Sequence, residues 1–266
     1  MFTTIAKRLV RDRIDAFRPM PEDDRPLAAI VFGAGAPSGV GGAVAQRIAA
    51  HGMRVYVTGR NAEKIKATAT TLGDIGGDVI GLTVDAADEH AITAAFERVA
   101  ADGHAVDLVV HNVGTNRPQA FLKTTAHTLE ERWRNDCLSG FFIAQQALQR
   151  MKPRGRGTLI FTGASASLRG KANFAAFASA KAGLRSLAQA LAREFGPTGI
   201  HVAHVVIDGL VDGDRLRTLA PQWLESRGEN GALDPAAIAE NYWMLYQQQR
   251  SAWTHELDLR PHDEAW

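Results

Sequence analysis

The stretch that most constrains this chain runs from Ile30 to Gly52, IVFGAGAPSGVGGAVAQRIAAHG. A short apolar run, Leu27 to Phe32, breaks into glycines. It then becomes a segment whose apolar residues Val44, Ile48 and Ala49 recur at helical spacing, which predicts strand, tight turn, helix. Glycines let a backbone approach a ligand closely, and the first turn of a helix presents unpaired N–H groups at the positive end of its dipole, so the pattern suits a pyrophosphate. The common G-x-G-x-x-G spacing fails: counted from Gly33 and Gly35, the third glycine position is Ser38. What fits is G-x-x-x-G-x-G, as Gly35, Gly39 and Gly41, with Val40 between the last two. Taken alone, the loop is also compatible with a glycine-rich turn that binds nothing.

A chain of 266 residues with 45% hydrophobic and 22% charged content is long enough for one large core and short for two enzyme domains. A net charge of +1 offers no electrostatic footprint for nucleic acid or an anionic membrane. No run approaches the length of a bilayer-spanning helix. The single cysteine, Cys137, excludes an internal disulfide and a cysteine-based zinc site, and fits a reducing cytoplasm. Residues 1–26 stand apart. Ile5, Leu9, Ile14 and Phe17 fall on one helical face with Arg8, Arg11, Arg13 and Arg18 on others, and an acid- and proline-rich MPEDDRP follows. This reads as an appended helix and linker; the interspersed charges argue against a secretory signal, and Asp12 and Asp15 against a transit peptide.

Beyond the glycine loop, strands are expected at 53–58, 78–84, 106–111, 157–162, 201–207 and 254–259, with helical segments between them. That alternation marks a parallel sheet with helices on both faces, whose ligands bind outside the carboxyl ends of the strands. The second strand ends in Gly59-Arg60-Asn61. An acid at this place would bond the ribose hydroxyl of NAD, whereas an Arg accommodates the 2′-phosphate of NADP. Arg60 therefore favours NADP(H), with NAD possible; its competing role is an ordinary solvated charge.

The loop spacing resembles that of the short-chain dehydrogenase/reductase family, with Ala34 in the usual Thr place. The resemblance covers residues 27–260. It implies that Asp85, followed by Ala86, receives the adenine amino group, although Asp85 reads equally well as the N-cap of the next helix. It matches Asn112 and Gly114 to the family's Asn-Asn-Ala-Gly run, with His111 and Val113 as departures; His111 reads as a structural residue. Gly209 and Val211 match the segment that closes over the nicotinamide, Asp208 replaces its Pro, and Asp212 lies near its Thr. Asp212 reads as an N-cap for the helix after Gly213, or as an acid beside the nicotinamide.

The family's Asn, Ser, Tyr and Lys set is mostly missing. The Asn position is Cys137, the Ser position is Ala164 with Ser165 one place on, and the Tyr position is Phe177; only Lys181 stands in place. Phenylalanine gives no proton, and a general acid contributes roughly 10²- to 10⁴-fold, about 3 to 5 kcal/mol. Three substitutes are conceivable: Ser165 as orienter or relay, Cys137 as a weak acid, or a substrate such as a protonated imine that brings its own proton. Packing is the competing role of Cys137, and a turn that of Ser165. Lys181 sits on an otherwise small and apolar helix, AAFASAKAGL, and wants a specific partner such as a ribose diol.

The expected architecture is α/β: a doubly wound parallel sheet in a three-layer Rossmann fold, with 27–266 as a single domain. Residues 214–230, with Leu216, Leu219, Trp223 and Leu224, are expected to form a partly apolar substrate lid, and 235–247 a helix capped by Asp234. The last strand and the helix carrying Tyr242, Trp243 and Tyr246 are expected to serve subunit pairing, in the homotetramer that the resemblance implies or in a homodimer. The expected activity is hydride transfer to or from a small carbonyl, imine or enone. The alternative is a silent NADP(H)-binding sensor or scaffold.

Overall fold

The computed structural model describes residues 23–264, so the helix expected near the N-terminus lies outside the described residues. Seven strands, β1 (Leu27–Phe32), β2 (Arg54–Gly59), β3 (Val79–Thr83), β4 (Ala105–His111), β5 (Gly157–Thr162), β6 (Ile200–Ile207) and β7 (Glu256–Leu259), form one sheet in the order β3-β2-β1-β4-β5-β6-β7. Every pairing is parallel. Strands buried on both faces have no polar side to show, which is why β1 and β5 read as near-continuous apolar runs.

Helices α1 (Val40–Ala50), α2 (Ala62–Asp74), α3 (Glu89–Ala101), α4 (Ala126–Trp133), α5 (Ser139–Met151), α6 (Ala175–Phe195) and α9 (Pro235–Gln247) supply the outer layers, and the short helices α7 (Asp214–Leu219) and α8 (Pro221–Arg227) form the segment expected as a lid. One core packs Ile92, Phe96, Ile143, Ala147, Leu184 and Ala188 of α3, α5 and α6 on one face of the sheet. The other packs Val44, Ile48, Ile65, Leu72, Ile238 and Tyr242 of α1, α2 and α9 on the opposite face. The three-layer architecture expected from the alternation is therefore present. Between α4 and α5, residues Arg134–Leu138 form a wide π turn in which the Ser139 N–H reaches back to the Arg134 carbonyl. This joins the two helices into one continuous rod.

Three expectations are corrected. The α3 cap is Asp88, which accepts from the His90 N–H at 2.9 Å. Asp85 instead closes a local turn by accepting from Ala87 N–H at 3.0 Å. Asp212 does not cap α7: the N-cap is Gly213, without a side-chain bond, and Asp212 pairs with Arg217 at 2.6 Å. The aromatic residues of α9 do not face outward. Tyr242 is buried with its hydroxyl 2.8 Å from Thr162 Oγ1, Trp243 stacks on His51, and the Tyr246 hydroxyl donates to Asp107. Asp234 does cap α9, with Pro235 in its first turn.

Two polar features lie inside the sheet. At the start of β4, Asp107 is buried and accepts from Arg154, Arg156 and Tyr246 at 2.8 to 3.0 Å. Near the carboxyl ends, register sets Phe32, His111, Phe161, His204 and Glu256 side by side across β1, β4, β5, β6 and β7. His111 Nε2 lies 2.8 Å from Ser139 Oγ, and His204 Nδ1 lies 3.0 Å from Glu256 Oε2. Burial, helped by the Lys181 charge, pulls His111 down to about 3. Burial pulls His204 down to about 4 against the opposing pull of Glu256.

Removing the Asp107 carboxylate would take from the largely buried Arg154 one of its two acids, from Arg156 its bidentate partner, and from the Tyr246 hydroxyl its buried acceptor. Asp107→Ala is therefore expected to cost about 3 to 5 kcal/mol in denaturant unfolding; a loss below about 1 kcal/mol would refute that role. Both rings stay uncharged in the folded chain, whereas in the unfolded chain they take up protons below about pH 6.5. The unfolded state thus binds more protons between about pH 6.5 and 4, and stability falls as pH is lowered through that window, by up to about 1.4 kcal/mol per unit for each ring. Unfolding curves at a series of pH values are expected to show this slope, and His204→Gln to flatten it.

Candidate functional site

The chain leaves β1 through Gly33, at φ 78°, where the Gly33 and Ala34 N–H groups both donate to the Thr58 carbonyl of β2. Gly35 follows at φ 67°, again in the left-handed region that glycine enters without strain. Its carbonyl accepts from Thr68 of α2 at 2.8 Å, so a buried threonine on a neighbouring helix pins the loop. Helix α1 then seats its first turn against the end of β1. A Cβ on Gly41 would lie 2.7 Å from Ala34 Cα, and one on Gly42 would lie 2.3 Å from the Ala36 carbonyl oxygen. The N-cap, Gly39, brings no side-chain acceptor, and no acid stands in the first turn. The first-turn amides of α1 therefore keep their donors for an exogenous anion, and the residues present fit a pyrophosphate. Sequence reading identified Gly35, Gly39 and Gly41 but not Gly42 or Thr68.

The other expected nucleotide contacts lie at the same edge of the sheet. Ser38 and Arg60 are exposed, and Arg60 makes no ion pair among the described residues. Asp85 is exposed and Ala86 buried at the end of the segment after β3. Asn112 is used structurally: its N–H donates to Phe32 O and its Nδ2 to Gly33 O, at 2.8 and 2.9 Å, which ties the end of β4 to the glycine turn. Val211 pairs with Leu233, and a Cβ on Gly213 would stand 3.1 Å from the Ser38 carbonyl oxygen. The segment after β6 thus closes directly onto the glycine loop. Gly209, at φ 152°, has Pro261 where a Cβ would go.

Lys181 is buried on α6, with Nζ donating to the carbonyls of Val113 at 3.0 Å and Thr162 at 2.9 Å. Burial lowers its pKa while Asp136 and Cys137 hold it up. An ammonium has three donors, so one N–H remains for a ligand. Gly114 makes room for it, since a Cβ there would lie 3.0 Å from Nζ and 3.6 Å from Asp136 Oδ1. Asp136 itself is buried, with its pKa raised by burial and drawn back by Lys181 and Arg132, and its Oδ2 is without a hydrogen-bond partner. Sequence reading gave this carboxylate no role; an acid in the π turn, immediately before the Cys137 position, was the available signal.

Phe177 lies one turn before Lys181 on α6, with the amine 6.0 Å from its ring centroid. Cys137 is buried, and its Sγ would be 3.0 Å from a Cβ on Gly183. Burial pushes its thiol up to about 11, against the opposing pull of Lys181. Ser165 is half-buried in the turn after β5; its carbonyl accepts from the Leu168 and Arg169 N–H groups. Ala164 donates its N–H to Ser167 Oγ at 3.2 Å. Among the described residues, no cluster of His, Cys, Asp or Glu could hold a metal ion. None of their helices is long and apolar enough to cross a membrane.

Residues 28–222 match the sequence profile of the short chain dehydrogenase family. The 3-oxoacyl-[acyl-carrier-protein] reductase of Bos taurus is 30% identical over 209 residues, 77% of this chain and 86% of that protein. A short-chain dehydrogenase from Rhodopseudomonas palustris, 36% identical, superposes with a TM-score of 0.75 over 91% of this chain and all of that one. Actinorhodin polyketide ketoreductase, solved with NADPH, shares the fold at a TM-score of 0.81 and 23% identity, over 93% of this chain and all of that one. With its glycine loop and all-parallel sheet, the chain belongs to the short-chain dehydrogenase/reductase family of oxidoreductases.

Proposed function

We propose that the protein is an NADP(H)-dependent oxidoreductase that transfers hydride to or from a small, partly apolar carbonyl, imine or conjugated double bond, with a non-standard active site. The observation that carries this reading is Lys181, a buried ammonium with two of its donors satisfied by carbonyls at the end of the sheet and one left over. Burying such a group without a purpose is costly. NADPH, when bound, supplies the hydride.

The chain's own residues do the rest. First-turn amides of α1 would hold the pyrophosphate, and exposed Arg60, just after β2, would meet the 2′-phosphate. Asp85 would receive the adenine amino group, and Gly114 leaves room for the Lys181 amine to reach a ribose hydroxyl. Phe177 walls the site beside Lys181 and moves no proton. Of the candidate proton carriers, Cys137 turns its sulfur toward Gly183 and holds its proton tightly, which supports packing. The half-buried Ser165 and a substrate that arrives protonated remain the better-supported routes.

Leu129, Trp133 and Phe141 are exposed on α4 and α5 and offer an apolar face to a second copy in a homodimer or homotetramer. The free, buried Cys137 is compatible with the reducing cytoplasm. The combination of Phe177, Ala164 and Cys137 favours a second reading, an NADP(H)-binding protein without turnover.

Phe177→Tyr separates the two. With aldehydes, imines and enones followed at 340 nm in the presence of NADPH, restoring the hydroxyl is expected to raise carbonyl turnover about 10²-fold or more. No gain, together with an inert parent chain, would leave only the binding reading. Arg60→Ala is expected to weaken NADPH binding about tenfold and leave NADH binding unchanged, measured by fluorescence titration. Equal losses for the two would remove Arg60 from the phosphate.

A further inference from the structure

We propose that the mouth of this site is built for a substrate with an anionic head, a carboxylate or a phosphate monoester, on an apolar body. The proposal deepens the reading above and rests on it for the location of the site. The loop leaving β4 carries Thr115, Asn116 and Arg117 at the sheet edge where ligands of such folds bind. Two arginines from different elements converge on it. Arg132 of α4 donates to the Thr115 carbonyl at 2.6 Å, and Arg215 of α7 donates to Asn116 Oδ1 and Asn116 O at 3.0 and 3.3 Å.

Arg117, in the loop itself, is near enough for its charge to act on Arg215, so three guanidinium groups gather at this loop, and none of them forms a salt bridge among the described residues. Their hydrogen-bond acceptors are neutral amide oxygens; the buried Asp136 acts on Arg132 but is shared with Lys181, so the positive charge of the group is only partly compensated. Burial and the charges of Arg117 and Arg132 all hold Arg215 below the usual arginine range, the direction expected where like charges crowd. Other arginines of the chain are treated differently: Arg169 has Asp208, Arg185 has Glu256, and Arg217, two residues along α7, has Asp212. A carboxylate or phosphate placed among the three would convert mutual repulsion into charge-assisted hydrogen bonds. Beside them, the lid exposes Leu219 and Trp223, apolar surface suited to the body of the same molecule.

The test is calorimetric titration of the full chain, loaded with NADPH, at fixed ionic strength. The probes are octanoate, octyl phosphate and octanamide, equal in chain length and different in charge. At least one anion is expected to bind about tenfold more tightly than the amide, and the stronger of the two identifies the head group. In Arg117→Gln/Arg215→Gln that preference is expected to fall below about twofold with NADPH affinity unchanged. Equal binding of all three probes, or a preference that survives in the double variant, overturns the proposal.

Arg117→Gln alone covers the possibility that the double variant does not fold. It is expected to keep or raise the melting temperature in anion-free buffer, because a repulsion is relieved; a purely structural Arg117 would lower it. If NADPH itself fails to bind, the parent reading falls, and the same probes on the cofactor-free chain still decide whether the arginines select anions.

Discussion

Everything at the functional edge of this molecule depends on how closely α1 is pressed against the end of β1. The contact is backbone on backbone. Gly41 stands where a methyl group would meet Ala34 at 2.7 Å, and Gly42 where one would meet the Ala36 carbonyl oxygen at 2.3 Å. Any side chain there would push the helix outward and tilt its first-turn amides away from the space above the sheet. The neighbouring strands reinforce the seat: Thr58 accepts two amides from the turn, Asn112 clips it from β4, and Thr68 clips it from α2. The glycine loop is thus a socket assembled from five elements, β1, β2, β4, α1 and α2.

The second dependency is the buried ammonium of Lys181. Its carbonyl partners are Val113, two residues past β4, and Thr162, the last residue of β5, so the lysine bridges the two strand ends around the place where chemistry would occur. Asp136 supplies the charge that keeps an ammonium tolerable there. The departures at Phe177, Ala164 and Cys137 remove hydroxyl and amide groups from the same region, yet the lysine's surroundings stay polar through Asp136 and the paired His111 and Ser139. Polarity has moved beneath the lysine rather than vanished.

Much of this was legible in the residues. The apolar runs and glycine punctuation located the strands to within a residue or two, because central parallel strands are buried on both faces and leave no other pattern. Asp234 and Pro235 announced α9 because their chemistry is local. What failed was relational. Asp85 and Asp88 are equally good caps on paper, and only the path of the chain gives the helix to Asp88. Asp212 lost its cap role to a competing arginine one turn on. The aromatic residues of α9 looked like an interface because nothing in their order says that Thr162 and Asp107, both far away in sequence, would receive their hydroxyls. Thr68 and Asp136 escaped notice for the same reason: each acts on a partner that only the assembled sheet brings near.

The π turn at Arg134–Leu138 has a further consequence. A turn that takes in one additional residue offsets the helical wheels on either side of it by about 100°. That offset lets α4 carry Arg132 toward the β4 loop while α5 carries Gly140 and Ile143 into the core. Substituting residues here alters local contacts, but deleting one would restore an ordinary helical ladder and rotate one half of the rod against the other. Apart from Asp136, whose carboxylate serves Lys181, residue count is a stricter requirement in this segment than residue identity.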